Sequence, residues 1–175
     1  MCNLEQFKID LKGMKTDEEH LEFDLHDDFF HALDTSEVNS GALHVSVSIR
    51  KAIGFFELQF HIEGTVKVPC DLCLDDMDQP IEAERLMVAK LGPETNTEDD
   101  DVVIVDENEG ILDTAWLIYE FIALAIPIKH VHAPGKCNSA MTQKLQELSG
   151  AVRSGEEEAD APVDPRWEKL KELKV

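Results

Sequence analysis

The sequence predicts an α+β fold: a mostly antiparallel, twisted and partly closed sheet, packed on one core helix and followed by short C-terminal helices. Three observations predict it. Apolar and polar residues alternate through most of the first ninety positions, one long apolar run at helical spacing lies near Asp113 to Ile126, and two shorter helical patterns follow. A period of two marks half-buried antiparallel sheet, because successive side chains of a strand point to opposite faces.

In chain order, FKIDL (Phe7–Leu11) and LEFDL (Leu21–Leu25) alternate, and DDFFHAL (Asp27–Leu33) reads as one short inserted helix. LHVSVSI puts Leu43, Val45, Val47 and Ile49 on one face, and FELQFHI repeats the pattern with Phe56, Leu58, Phe60 and Ile62. The connections IRKAIGF and HIEGTV are short and contain Gly, which suits hairpins. Thr65–Val68 and Ile81–Leu91 then read as strands flanking VPCDLCLDDMDQPIE, which puts CDLC at or near a hairpin tip. PETNTEDDD has no periodicity and reads as a loop, whereas VVIV (Val102–Val105) reads as a buried strand.

In ILDTAWLIYEFIALAIP, Asp113 is the expected N-cap and Pro127 the stop. Trp116, Ile118, Tyr119, Ile122, Leu124, Ala125 and Ile126 cover much of this helix, so it is expected to pack into the sheet, with Trp116 in the core. SAMTQKLQELSG is a second helix, expected to end at Gly150. The organisation that follows is a single domain over residues 1–150, an acidic linker over 151–164 and a short amphipathic helix over 165–175. In that last segment Asp164 caps, Pro165 takes the first helical position, and Trp167, Leu170 and Leu173 share a face for docking on the body or on a partner.

Charge narrows the function classes. The chain has 37 acidic and 16 basic residues, a formal net charge of −21. Such a field repels phosphate backbones and attracts basic partners, so a basic protein is expected ahead of direct RNA contact. The Glu98–Asp101 run is a solvated loop or a seat for a Lys/Arg-rich segment. No basic segment followed by an apolar run opens the chain, and the longest apolar stretch, Ala115–Ile128, is broken by Glu120. A spanning helix needs about 20 apolar residues. The expectation is a cytoplasmic protein without a membrane partner, whose four cysteines stay reduced and serve as metal ligands, catalytic groups or core filler. No phosphate-binding loop, GxSxG or HExxH occurs, which argues against an enzyme and a small-molecule substrate. Asp75, Asp76 and Asp78 lack EF-hand spacing and read as a solvated turn.

Two groups of soft ligands stand out. Cys70 and Cys73 form a C-x2-C, and AIPIKHVHAPGKCNS, directly after the long helix, holds His130, His132 and Cys137. Zn²⁺ takes four N or S ligands in a tetrahedron, and two half-sites are a common way to supply them. His132 fits better than His130, because Pro134 and Gly135 let the chain loop back before Cys137. His130 reads as a surface residue or a neighbour of the ligands, and His20, His26, His31, His44 and His61 as solvated or paired with carboxylates. The 58 residues between Cys73 and His132 exceed the spacing of about 15–20 in a compact zinc ribbon, so such a site would pin the hairpin tip to the helix exit. Four protein ligands make it structural, and a relic without metal or a thiol switch are the alternatives. Redox catalysis is disfavoured, because Pro69 precedes the pair and the acidic LDDMD after it is expected to raise the thiol pKa.

CDLC between two strands, then NEGILDTAWLIYEFIALAIPIKHVHAPGKC and a closing DPRWEKLKEL, resembles the YceD family. That family is associated with accumulation of large-subunit ribosomal RNA and is described as metal-binding. Cys70 and Cys73 match its first pair, Ile111, Leu112 and Asp113 the helix start, Ala125, Ile126 and Pro127 the helix exit, and His132 and Cys137 its second pair. Many relatives have Cys where this chain has His132. The resemblance implies a non-enzymatic accessory factor in large-subunit ribosome biogenesis. It would bind ribosomal proteins or the pre-ribosomal particle and carry a structural Cys3His zinc site or its remnant. The competing reading, a zinc-dependent nucleic-acid-binding module, needs the fold to gather Arg50, Lys51, Arg85, Lys90 and Lys136 into a basic face.

Overall fold

A computed structural model describes residues 3–35, 38–93, 96–99 and 101–153. The chain forms two compact units, Met1–His132 and Ala133–Val175.

The first unit is built on a six-stranded sheet. Its strands are β2 (Glu18–Leu25), β3 (Gly41–Ala52), β4 (Phe55–Pro69), β5 (Asp76–Gly92), β6 (Asn96–Asp99) and β7 (Val102–Asp106), in the order β2-β3-β4-β5-β7-β6. All neighbours are antiparallel except β5 and β7, which run parallel. Among the described residues the sheet is open, with β2 and β6 at its edges, so the expected partial closure is not found. The segment expected as a loop after Gly92 includes β6, paired antiparallel with β7. A partner strand's backbone imposes that pairing, and side-chain periodicity does not report it.

Strand β4 joins two stretches that the sequence separates, Phe56–Ile62 and Thr65–Val68. Gly64 was expected in a turn, yet β4 runs straight through it, opposite Leu43 of β3. Its φ is +146°, and a Cβ there would lie 2.3 Å from the Ala42 carbonyl oxygen and 2.6 Å from Leu43 Cα. The glycine therefore lets two backbones approach within a sheet. The tight turn is at Ile53–Gly54, between β3 and β4, where Gly54 has φ +87°.

Alternation decides what the sheet buries. Leu43, Val45, Val47 and Ile49 of β3, Leu58, Phe60 and Ile62 of β4, Ile81 and Met87 of β5, and Val103 and Val105 of β7 join one core. Helix α1 (Asp27–Leu33) adds Phe29 and Phe30, and Phe7 stacks on Phe29 with ring centroids 5.0 Å apart. A two-stranded sheet, β1 (Lys8–Asp10) with β8 (Ile111–Asp113), leads into helix α2 (Ala115–Ala125). Pairing with β1 makes Ile111–Asp113 a strand instead of a helix start. Thr114 is then the N-cap, its hydroxyl donating to the Phe7 carbonyl at 2.7 Å, while Asp113 accepts from the Ala115 N–H at 3.0 Å.

Helix α2 buries Ala115, Ile118, Tyr119, Phe121 and Ile122, and Phe121 meets Phe60 edge-on at 5.2 Å. Trp116 and Leu124, expected inside, are exposed. A helix lying on a sheet can bury one side only, and the other residues take that side here.

In the second unit, Asn138 caps α3 (Ser139–Arg153) by accepting from the Ala140 N–H at 3.1 Å. The helix continues through Gly150, since an internal glycine weakens a helix by about 1 kcal/mol without ending it. Residues 151–153 of the expected linker thus belong to α3, and the rest of the linker and the terminal helix lie outside the described residues.

Candidate functional site

Strand β4 ends at Pro69, and Cys70–Asp75 turns the chain into β5. The turn closes on itself: the Cys70 N–H donates to the Asp75 carbonyl and the Leu74 N–H to the Cys70 carbonyl, both at 2.9 Å. Leu74 takes a left-handed φ of 64°, unusual for a branched side chain. The two thiols turn inward and are almost fully buried, while Leu72 and Leu74 are exposed.

The exit of α2 meets this turn. The Asp71 N–H donates to the His130 carbonyl at 3.0 Å, and the His130 N–H donates back to Asp71 Oδ2 at 2.8 Å. The His130 ring lies 3.5 Å from Asp71 Oδ1, and its Nδ1 lies 3.0 Å from the Pro127 carbonyl. His130 and Asp71 thus tie the hairpin tip to the segment leaving α2. Sequence reasoning had not singled out Asp71. Its only local signal is a carboxylate inside a C-x2-C turn.

Two residues further on, His132 reaches the thiols, with its Nδ1 3.4 Å from Cys73 Sγ. The candidate ligand atoms of Cys70, Cys73 and His132 lie within 4.8 Å of one another. Ligands of a tetrahedral zinc sit about 3.4–3.8 Å apart for bonds of about 2.0–2.3 Å, so a small contraction would seat the ion. The donors are soft and fit zinc by type. Cys137, half-buried, belongs to the second unit, beyond a turn in which the Lys136 N–H donates to the Ala133 carbonyl at 3.0 Å.

Electrostatics at Cys70 differ from the sequence expectation of a raised pKa. Burial pushes this thiol up, but N–H groups of Cys73, His132 and Leu72, together with the His132 ring, outweigh it and bring the pKa down to about 6. The acidic run acts less than these donors because Asp75 and Asp76 are exposed, where water screens them. A buried thiolate held by hydrogen bonds is prepared to ligate a metal but is poorly accessible to a disulfide partner. The remaining histidines lie on outer surfaces: His20 contacts Ser48 at 2.9 Å, His44 contacts Asp24 at 2.9 Å, and His61 lies 3.6 Å from Glu84.

An open sheet whose longest hairpin meets a helix exit over soft side chains defines the class: an α+β domain with a candidate metal centre. Among the described residues no helix is long and apolar enough to cross a membrane. The chain belongs to the YceD family, described as large ribosomal RNA subunit accumulation protein YceD, whose sequence model matches residues 58–174. That range takes in both soft-ligand segments and leaves β1 to β3 outside it. No curated protein and no solved structure matches the chain.

Proposed function

We propose that this protein is a non-enzymatic accessory factor in large-subunit ribosome biogenesis, acting in the cytoplasm by binding a basic partner. Its structural zinc site, or the remnant of one, consists of Cys70, Cys73, His132 and Cys137. The observation that carries the metal reading is the convergence of Cys70, Cys73 and His132, which come from two segments 58 residues apart. Cys137 is the natural fourth ligand because only four residues, including Pro134 and Gly135, separate it from His132, and a closed zinc site wants four donors. When bound, zinc supplies a cross-link between the hairpin tip and the helix exit.

The ribosomal part rests on the family's description, and the choice of a basic protein partner on charge. The outer face of the sheet agrees with it. Arg50 is engaged by Glu57 and Lys67 lies 3.6 Å from Asp78, while Asp24 and Glu84 stand beside His44 and His61. On that face Arg50 and Lys67 are already engaged by carboxylates, which does not favour the nucleic-acid reading.

Elemental analysis of gently purified protein tests the centre. One equivalent of zinc is expected, lost in Cys70→Ser together with a fall in Tm, and zinc content that is unaffected by this substitution would reject the site. Deleting the gene is expected to lower large-subunit relative to small-subunit ribosomal RNA, and an unchanged ratio would reject the ribosomal role.

A further inference from the structure

Five large apolar side chains are exposed on two segments of the first unit that the Asp71–His130 hydrogen bonds join: Trp116, Leu124 and Ile128 on α2 and its exit, Leu72 and Leu74 in the hairpin turn. Trp116 and Leu124 are eight residues apart on α2, which puts them on one helix face. Glu120, between them, accepts a hydrogen bond from the Trp116 indole at 2.7 Å. Ile128, fully exposed, follows in the segment that leaves the helix. Asp71 and His130 bond that segment to the hairpin tip, where Leu72 and Leu74 flank Cys73 in sequence. Leu124 is 72% and Leu74 68% exposed, more than the sheet's packing explains. A single exposed leucine is ordinary, but a run of them beginning at an indole is the composition of a docking surface.

Acidic residues outnumber basic ones on these two segments: Asp71, Asp75, Asp76 and Glu120 are exposed, and Lys129 is the one lysine or arginine in residues 111–132. We propose that the surface formed by these two joined segments docks a lysine- or arginine-rich amphipathic segment of another protein, whose apolar side chains cover the indole and leucines while its cations meet the carboxylates. Charge selects that occupant. RNA would bring phosphates against these carboxylates, and a second copy of the chain would bring another −21 charges. The inference rests on the reading of a basic partner and adds where it sits and why charge alone is not enough.

The test uses the full chain with Trp167→Phe, which leaves Trp116 as the sole indole. The probes are a short helical peptide of leucine and lysine, oligolysine of equal charge, and a ribosomal RNA fragment. The amphipathic peptide is expected to shift Trp116 emission to the blue and to bind at least about tenfold tighter than oligolysine at the same ionic strength. Leu124→Ser/Ile128→Ser is expected to abolish that advantage with Tm and zinc content unchanged. Leu74→Asn, which suits the left-handed backbone at this position, is expected to reduce it without disturbing the turn.

Equal binding of oligolysine, an advantage that survives in Leu124→Ser/Ile128→Ser, or an equal shift with RNA would overturn the docking surface. So would self-association of the chain that the double substitution abolishes. These readouts are independent of ribosomal RNA levels, so a failure of the docking surface and a failure of the ribosomal role are told apart.

Discussion

The inner face of the sheet and the hairpin tip belong to one unit but are held by opposite means. On the inner face, side chains of β3, β4, β5, β7 and α2 share a continuous apolar core, and each residue is backed by many others. At the tip, order rests on a few directional contacts: the turn's own backbone bonds, the reciprocal Asp71–His130 pair, and the approach of His132 to Cys73. Apolar burial is non-directional and shared, so it makes a robust scaffold. Polar contacts and soft ligands are specific, and losing one removes much of what holds the place. The difference teaches that this fold should survive damage to its site, whereas the site depends on the fold.

The sharpest contrast is expected from Phe60→Ala. Its ring is fully buried against Phe121, and truncation should cost about 3–5 kcal/mol, read as a fall in the urea midpoint of the whole unit. A cost as small as that of a tip substitution would break the comparison. Gly64→Ala should follow at about 2–4 kcal/mol, because its Cβ would meet the backbone of β3 at a φ that alanine avoids.

At the tip, if the proposed zinc site is right, Cys73→Ser should remove the metal at a cost on the order of 2 kcal/mol. Hydrogen exchange should then quicken in residues 70–75 and 128–132 while the amides of β3 and β4 stay protected. Loss of protection across the sheet would show that the metal holds the fold as well as the site. Asp71→Ala should cost about 1–2 kcal/mol and loosen the same two segments, since it leaves the His130 N–H without its carboxylate.

The smallest effect is expected from pH in metal-free protein. Cys70 has a folded pKa of about 6, below the ordinary thiol value of about 8.5, so the folded state holds fewer protons between these values. The stability this adds is fully present above about pH 8.5 and is lost as pH falls through about 6. Tm in the presence of a chelator should decline across that window in the wild type and stay flatter in Cys70→Ser.

How much was legible follows from how far each signal reaches along the chain. Helix α1 was legible to the residue, and β2, β3 and β7 within a few, because alternation and caps are local. The approach of Cys70, Cys73 and His132 was expected from residue type, spacing and family likeness, and the structure brings these three together. Not legible were β6, whose pairing partner supplies the order, and β8, whose ILD reads as a helix start until β1 lies beside it. The pKa of Cys70 was misjudged because sequence shows nearby carboxylates but not N–H groups pointed at a sulfur.

The sequence by itself determined the alternating strands, the apolar helix, the acidic field and the C-x2-C with its candidate partners, because each depends on neighbours a few positions away. Only the tertiary structure decided that Asp71 ties the hairpin to His130, that Gly64 lies inside a strand, and that Trp116 and Leu124 face outward. Those outcomes depend on which distant backbone comes close and which helix side meets the sheet, and packing settles such questions only when the whole unit is assembled.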